Sequence, residues 1–457
     1  VPRATPTVSP SALDWETIAI EAVDHLRRYL QFDTTAPPGD ELPALRWLQD
    51  VLAHDGIAAE LLDLDVLPGR GNLAARIRGE GDRPGVALVH HADVVTADPA
   101  RWTVPPFSGD VRDGFIYGRG ALDMKGLGIV HLMTLLAIRR SGVPLRRDLA
   151  FVVNAAEERG GRGADVFTER HAARLAGIAY VLTEGGFPSV VDGQVQYWSV
   201  TASEKVPFWL RLSVTGTPGH GARPGPDNAV VRLARALVRL GSWDTPLRTS
   251  ATTRRFFRDI APAYESPVRE WLADVDHALA DPAARAWLLA DPRLNAMLRD
   301  TITPTVLHGS RKTNVIPAEA SAEVDIRLLP DTDPDAFLRD LRAIIDDPSV
   351  HVERIGPRKA ALDAPLDTPL FRAITHVLGT RDPGVPVTTP LPTGATDRPA
   401  YGALGLIPYG FMPFRVENRD VQRGIHGDDE RLPIRALTEA IHVHYEVLRA
   451  LDAIDDG

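Results

Sequence analysis

Five short segments of this 457-residue chain gather side chains that bind cations or move protons. They are His91-Ala92-Asp93, the run GRGALDMKG from Gly118 to Gly126, Glu157-Glu158 followed by Gly160-Gly161, Glu184-Gly185-Gly186, and His426-Gly427-Asp428-Asp429-Glu430. A His whose second ring nitrogen is oriented by a nearby carboxylate is a good metal ligand. The chain contains no Cys, so thiolate metal sites, iron–sulfur clusters, disulfides and a Cys nucleophile are excluded, and any metal must rest on His, Asp or Glu. Only Lys125, Lys205, Lys312 and Lys359 are lysines among 51 basic residues. Arg does not lose its proton, so few candidates remain for a general-base or Schiff-base Lys. Taken singly each segment is weak, because an isolated H-x-D is more often a surface or core pair and an E-E pair is usually a solvated face.

What strengthens the set is the local structure that must present it. Residues 85–90 (GVALVH), 149–154 (LAFVVN) and 178–182 (IAYVL) are short apolar runs ending in polar residues. They alternate with helical periodicity over 13–31, 41–55 and 126–140, the pattern of buried strands in an α/β sheet. Ligands in such sheets bind beyond the carboxyl ends of the strands, and three of the five segments follow those ends. Strand alternation points His90 away from the site that His91 faces. Glu157 and Glu158 can face one point only if the chain turns there, which Gly160 and Gly161 make easy.

The middle of the chain reads differently. Residues 206–215, 319–329 and 349–355 alternate in strand fashion, and 227–241 and 334–347 are helical. This describes a smaller α+β module with a helical stretch at about 255–300 inserted in it. We therefore expect a catalytic α/β domain over 1–202 and 358–457, with a mixed sheet flanked by helices, and a lid domain inserted at 203–357. Residues 1–10 (VPRATPTVSP) are Pro/Thr-rich and read as a flexible tail. Compartment stays open between cytoplasmic and secreted or periplasmic.

Composition narrows the function classes. With 61 acidic against 51 basic side chains the formal net charge is −10. A protein that binds nucleic acid by neutralising phosphates needs a basic face instead. No apolar run reaches the ~18 residues that a membrane span requires.

The order HxD, GRGALDMKG, EE-x-GG, EGG, HGxxE resembles the M20 family of metallopeptidases. WTVPPFSG at 102–109 and GRGALDMKG at 118–126 match its motifs closely, and the EGG at 184–186 with the helical stretch at 255–300 is most similar to the carboxypeptidase S branch. The resemblance implies a pair of Zn²⁺ ions, with Co²⁺ or Mn²⁺ as alternatives. It implies that His91 binds the first metal, Asp93 orients His91, Asp123 bridges both metals and Glu184 completes the first. Glu158 and His426 bind the second, and Glu157 is the general base. It also implies a cis peptide at Asp123–Met124. The charges agree: three carboxylates, two divalent cations and one bridging hydroxide sum to zero, and a metal lowers the pKa of its water to ~7.

The lid segment is similar to the family in further places. Thr215 to His220 resembles its GxxGH segment, which makes His220 a donor to the oxyanion. Asn314-Val315-Ile316-Pro317 and Asp325-Ile326-Arg327 resemble its NVIP and DxR segments. Arg327 would then clamp a substrate carboxylate bidentately, the alternative being a salt bridge with Asp325 or Glu323. Gly394 lies in TGATD at 393–397, similar to a Gly-rich loop whose N–H groups contact that carboxylate. The expected function is hydrolysis of an amide bond in a small peptide or N-acyl amino acid with a free carboxylate, by a monomer or a homodimer joined through the lid. The rivals are an aminopeptidase or dipeptidase of the same family and a non-catalytic binding protein on this scaffold. A dinuclear phosphoesterase is disfavoured by Arg327 and Glu157.

Overall fold

The structure is a computed structural model, and it describes residues 13–63, 65, 68–356 and 359–454. The tail at 1–10 and the expected boundary at 357/358 lie outside the described residues. The chain divides into two compact units. The first comprises the described residues up to Ala202, then Ala364–Pro390, then those from Thr396 onward. The second comprises Ser203–Asp363 and Leu391–Ala395. The second unit thus ends later than the expected residue 357 and takes in the segment that carries Gly394, which is expected in the catalytic domain.

The first unit is built on a six-stranded mixed sheet in the order Ala59–Leu62, Asn72–Ile77, Arg147–Asn154, Arg83–His91, Ile178–Thr183, Ile407–Gly410. The last four strands run parallel, and Asn72–Ile77 runs antiparallel to both of its neighbours, Ala59–Leu62 and Arg147–Asn154. The two edge strands 59–62 and 407–410 and the strand 72–77 were not legible as strands. They are short, and in Asn72–Ile77 the apolar run is interrupted by Arg76. Leu88, Phe151 and Leu182 are fully buried on the parallel strands and join one core with Leu127, Leu132 and Leu135 of helix Lys125–Arg140. That helix is buried from Lys125 to Ile138, all round rather than on one stripe, as expected of a helix at the centre of a core. It packs against helices Trp15–Leu30 and Ile434–Ala453. Asp14 starts the first of these by accepting from the N–H groups of Glu16 and Thr17. His91 pairs in register with Asn154, so two chain segments that carry site residues leave the sheet side by side.

In the second unit, strand Glu319–Leu328 is paired with Val206–Pro207, Leu210–Thr215 and Thr301–His308. Its burial alternates strictly: Ala320, Ala322, Val324, Ile326 and Leu328 are buried, while Glu323, Asp325 and Arg327 are half-exposed on the other face. The buried face packs with helices Ala229–Gly241 and Pro334–Ile345. The helical insertion runs from Ala251 to Met297 in short pieces. Strand Thr301–His308 escaped the sequence reading because it is an exposed edge with Pro304 inside it. No helix among the described residues is long and apolar enough to cross a membrane.

Candidate active site

Beyond the carboxyl ends of the parallel strands, His91, Asp123, Glu157, Glu158, Glu184 and His426 converge in the first unit. Three groups have ligand atoms within 4.8 Å of one another: His91, Asp123, Glu184; Asp123, Glu158, His426; and His91, Glu157, Glu158. Asp123 is shared between the first two. Its Oδ1 lies 3.3 Å from His91 Nε2, and its Oδ2 lies 3.2 Å from His426 Nε2. Glu184 Oε2 is 3.6 Å from His91 Nε2, and Glu158 Oε1 is 3.2 Å from His426 Nε2. A carboxylate with one oxygen toward each of two imidazoles has the geometry of a bridging ligand.

The backbone explains the convergence. Strand 147–154 stops at Asn154, Ala156 takes the left-handed conformation (φ 60°), and Glu157–Arg159 form one 3₁₀ turn. Gly160 and Gly161 are also left-handed, at φ 90° and 74°. The turn breaks strand alternation, so that adjacent Glu157 and Glu158 reach the same site. His426 has φ 58°, and the Asp123–Met124 peptide is cis.

Electrostatics show what this cluster favours. Burial alone would pull the His91 imidazole down, but Asp123 and Glu184 outweigh it and raise it well above its ordinary range. Asp123 and Glu158 push His426 up to about 10. Burial raises Glu184 to about 7, and burial with the neighbouring Glu184 charge raises Glu157 well above the usual carboxylate range. Asp123 goes the other way: burial opposes its ionisation, yet the two imidazoles hold it below that range. The carboxylates thus favour positive charge at the two imidazoles.

Divalent cations would meet that demand better. His91 Nε2 and Glu184 Oε1 are both buried and make no hydrogen bond, a situation rare for buried polar atoms unless another group completes them. Neutral imidazole nitrogens and carboxylate oxygens are the donors that suit Zn²⁺. The residues present thus fit divalent cations.

Asp93 does something the sequence did not suggest. His91 Nδ1 lies 2.9 Å from the main-chain oxygen of Asp93, whereas the Asp93 carboxylate is 3.7 Å away. That carboxylate instead accepts from the N–H groups of Glu157 (3.0 Å) and Glu158 (3.2 Å). Glu430 is equally specific. It is wholly buried and accepts from Arg119 Nη1 and from the N–H groups of Gly120, Leu122 and Asp123 at 2.6–3.0 Å. Arg119 also donates to the Gly427 carbonyl at 2.7 Å and lies over the Trp102 ring. The loops carrying Asp123 and His426 are thereby tied together. Glu430 stands in the HGDDE segment, whose sequence alone gives it no separate role. His90 turns away as alternation requires, with Nε2 3.3 Å from the Tyr29 hydroxyl.

The other sequence candidates lie in the second unit. Gly219–His220 pair with Val315–Ile316, and the Asn314 carbonyl accepts from Gly221 N at 2.8 Å, so His220 and Asn314 are neighbours and both are exposed. His220 Nδ1 accepts from Ala222 N at 3.1 Å, which leaves Nε2 as the protonated nitrogen of the neutral ring. Arg327 Nε donates to Asp325 Oδ1 at 2.8 Å, and its guanidinium lies 5.8 Å from the centre of the Trp209 ring. The salt-bridge alternative is therefore present. Gly394 is exposed, and a Cβ there would meet nothing.

Residues 87–450 match the family described as peptidase family M20/M25/M40. The chain is 29% identical over 403 residues to the N-fatty-acyl-amino acid synthase/hydrolase PM20D1 of Xenopus tropicalis, covering 86% of this chain and 78% of that protein. It is 25% identical over 442 residues to aminoacylase-1 of Sus scrofa, covering 95% of this chain and 96% of that one. The fold is shared with the M20 family metallo-carboxypeptidase Sso-CP2 of Sulfolobus solfataricus, at a TM-score of 0.73 and 16% identity over 95% of this chain and 100% of that one. The family match runs through both units and spans every segment of the convergent cluster, and the chain belongs to the peptidase family M20/M25/M40 as an amide-hydrolysing enzyme.

Proposed function

We propose that this enzyme cleaves the amide bond of an N-acyl amino acid or small peptide that carries a free carboxylate, using two divalent cations, Zn²⁺ first, with Co²⁺ or Mn²⁺ as alternatives. The observation that carries the reading is Asp123, with one oxygen beside His91 and the other beside His426. His91, Asp123 and Glu184 would hold one cation, and Asp123, Glu158 and His426 the other. When bound, the cations polarise the scissile carbonyl and lower the pKa of water. Glu157 takes the proton of the attacking water and delivers it to the leaving amine nitrogen. On this reading His220 Nε2 donates to the oxyanion, while Arg327, Asn314 and the backbone at Gly394 hold the free carboxylate.

The relatives named above support the acyl side of the proposal, since one is an N-fatty-acyl-amino acid synthase/hydrolase and another an aminoacylase. The test has two arms. N-acyl amino acids, dipeptides and tripeptides are assayed with zinc, cobalt and manganese; hydrolysis confined to substrates with a free amine and indifferent to the carboxylate would replace the reading by an aminopeptidase. Glu157→Gln is expected to keep both cations and lose about 10²–10⁴-fold in kcat. Near-normal turnover would remove Glu157 as the base.

A further inference from the structure

We propose that Glu41 and Arg70, two charged residues outside the cation-ligand cluster, form with Asn72 a buried cradle that positions Glu157 and Glu158. This rests on the function proposed above.

Four consecutive backbone N–H groups leave the sheet where strand 147–154 ends, and each is taken by a side chain. Ala155 N donates to Asn72 Oδ1 at 3.0 Å and Ala156 N to Glu41 Oε1 at 3.4 Å. Glu157 N and Glu158 N donate to the two oxygens of Asp93. Buried N–H groups that lose their sheet partners must find others, and here they find three side chains from three separate chain segments. Asn72 also donates to the Gly163 carbonyl at 3.0 Å, while a Cβ on Gly163 would sit 1.9 Å from the Ala155 oxygen. The start of helix Arg162–His171 is thus pressed against the same turn.

Arg70 unites the acceptors. Its Nε lies 2.9 Å from both Glu41 oxygens, and its Nη2 donates to Glu41 Oε1 and, at 3.2 Å, to Asp93 Oδ2. Glu41 and Asp93 are 0% exposed and Arg70 is 7% exposed. A buried carboxylate needs a counter-charge. Arg70 pairs with both, and the Asp93 oxygens are left facing the Glu157 and Glu158 N–H groups. Gly39 leaves room for the guanidinium, because a Cβ there would lie 2.5 Å from Arg70 Cζ. Neither Glu41 nor Arg70 belongs to the three ligand groups, so both act through Asp93 and the turn, as positioning residues. The turn carries the proposed base and one proposed ligand. A misplacement of about 1 Å there is enough to cost on the order of 10²-fold in rate.

Glu41→Gln preserves shape and removes the charge that orients Arg70. In the full chain it is expected to lower kcat about 10–100-fold with KM within about twofold. Co²⁺ titrated into the metal-free variant is expected to bind about tenfold more weakly, with an altered visible absorption band. Arg70→Lys, which keeps the charge and loses the fork, carries the same test where Glu41→Gln yields too little folded protein. Parent kcat together with the parent cobalt spectrum in either variant would overturn the cradle, as would a kcat loss equal to the loss of folded protein. Glu157→Gln run alongside separates the two proposals: an inactive Glu157→Gln beside an unchanged Glu41→Gln removes only the cradle, and an active Glu157→Gln removes the base assignment.

Discussion

The candidate cation site of the first unit and the candidate recognition residues of the second are held in opposite ways. Behind the ligands lie buried charges with their hydrogen-bonding partners in place. Asp93 holds the Glu157–Glu158 turn, and Glu430 holds the loop of Asp123 while its partner Arg119 reaches the His426 loop. In the second unit His220, Asn314 and Gly394 are exposed, and His220 is steadied by one local bond from Ala222 N. Arg327 is braced by Asp325 and Trp209. Chemistry needs groups fixed to a fraction of an ångström by a second layer of contacts. Recognition of varied substrates tolerates looser loops. Substitutions in the first unit, and of the proposed oxyanion donor His220, should therefore damage every substrate alike, and those of Arg327, Asn314 and Gly394 should change preference.

The sharpest way to break this contrast is to empty the first site. Dialysis against a chelator is expected to take turnover below detection for all substrates, and two equivalents of zinc, cobalt or manganese per chain are expected to restore it. Full activity in protein shown to be metal-free by elemental analysis would end the mechanism. The next effect is smaller and selective. Arg327→Ala is expected to raise KM about 10–100-fold for free acids, the scale of one charge-assisted hydrogen-bond pair, and to leave the matching amides or esters nearly unchanged. Equal loss on acids and esters would make Arg327 a structural partner of Asp325 and nothing more.

The smallest effect is a pH dependence that belongs to the first site only. Glu184 at about 7 and His426 at about 10 both lie above their unfolded values of 4.5 and 6.5. Groups raised in this way stabilise the metal-free fold fully below the unfolded value, and that stability is lost as pH rises through the folded value. Asp123, lowered, contributes only above its unfolded 3.8 and is constant over this range. Buried Lys125 and Lys205, both lowered to about 7, slope the opposite way, but they do so with and without metal. The gain in melting temperature on adding metal is therefore the clean quantity. It is expected to grow by a few degrees from pH 5 to pH 9, because ligating imidazoles must be deprotonated. A gain that shrinks over that range would contradict the ligand set.

The contrast also explains which parts were legible beforehand. Helices 15–30, 42–54 and 125–140 and the strands ending at His91, Asn154 and Thr183 are legible, because long apolar periodicity reports burial directly. The motif residues His91, Asp123, Glu157, Glu158, Glu184 and His426 could be chosen for their chemistry and their place at strand ends. Short edges such as Ala59–Leu62 and Ile407–Gly410 could not, since four residues carry too little pattern. Glu41 and Arg70 were invisible for a different reason. They are single charges 29 residues apart, Glu41 at the start of helix Leu42–His54 and Arg70 in a loop, and nothing local distinguishes them from solvated surface groups.

What the sequence by itself determined is the chemistry available: no thiolates, a His and carboxylate set in a recognisable order, and strands to carry it. What only the tertiary structure decided is how those groups are aimed. Asp93 turned out to hold the Glu157–Glu158 turn by its carboxylate and His91 by its main-chain oxygen. Gly394 proved to belong with the second unit, and Arg327 to be already paired. Side-chain identity fixes what a group can donate or accept. Which buried N–H or charge it meets depends on contacts between residues far apart in the chain, and those exist only once the core has closed.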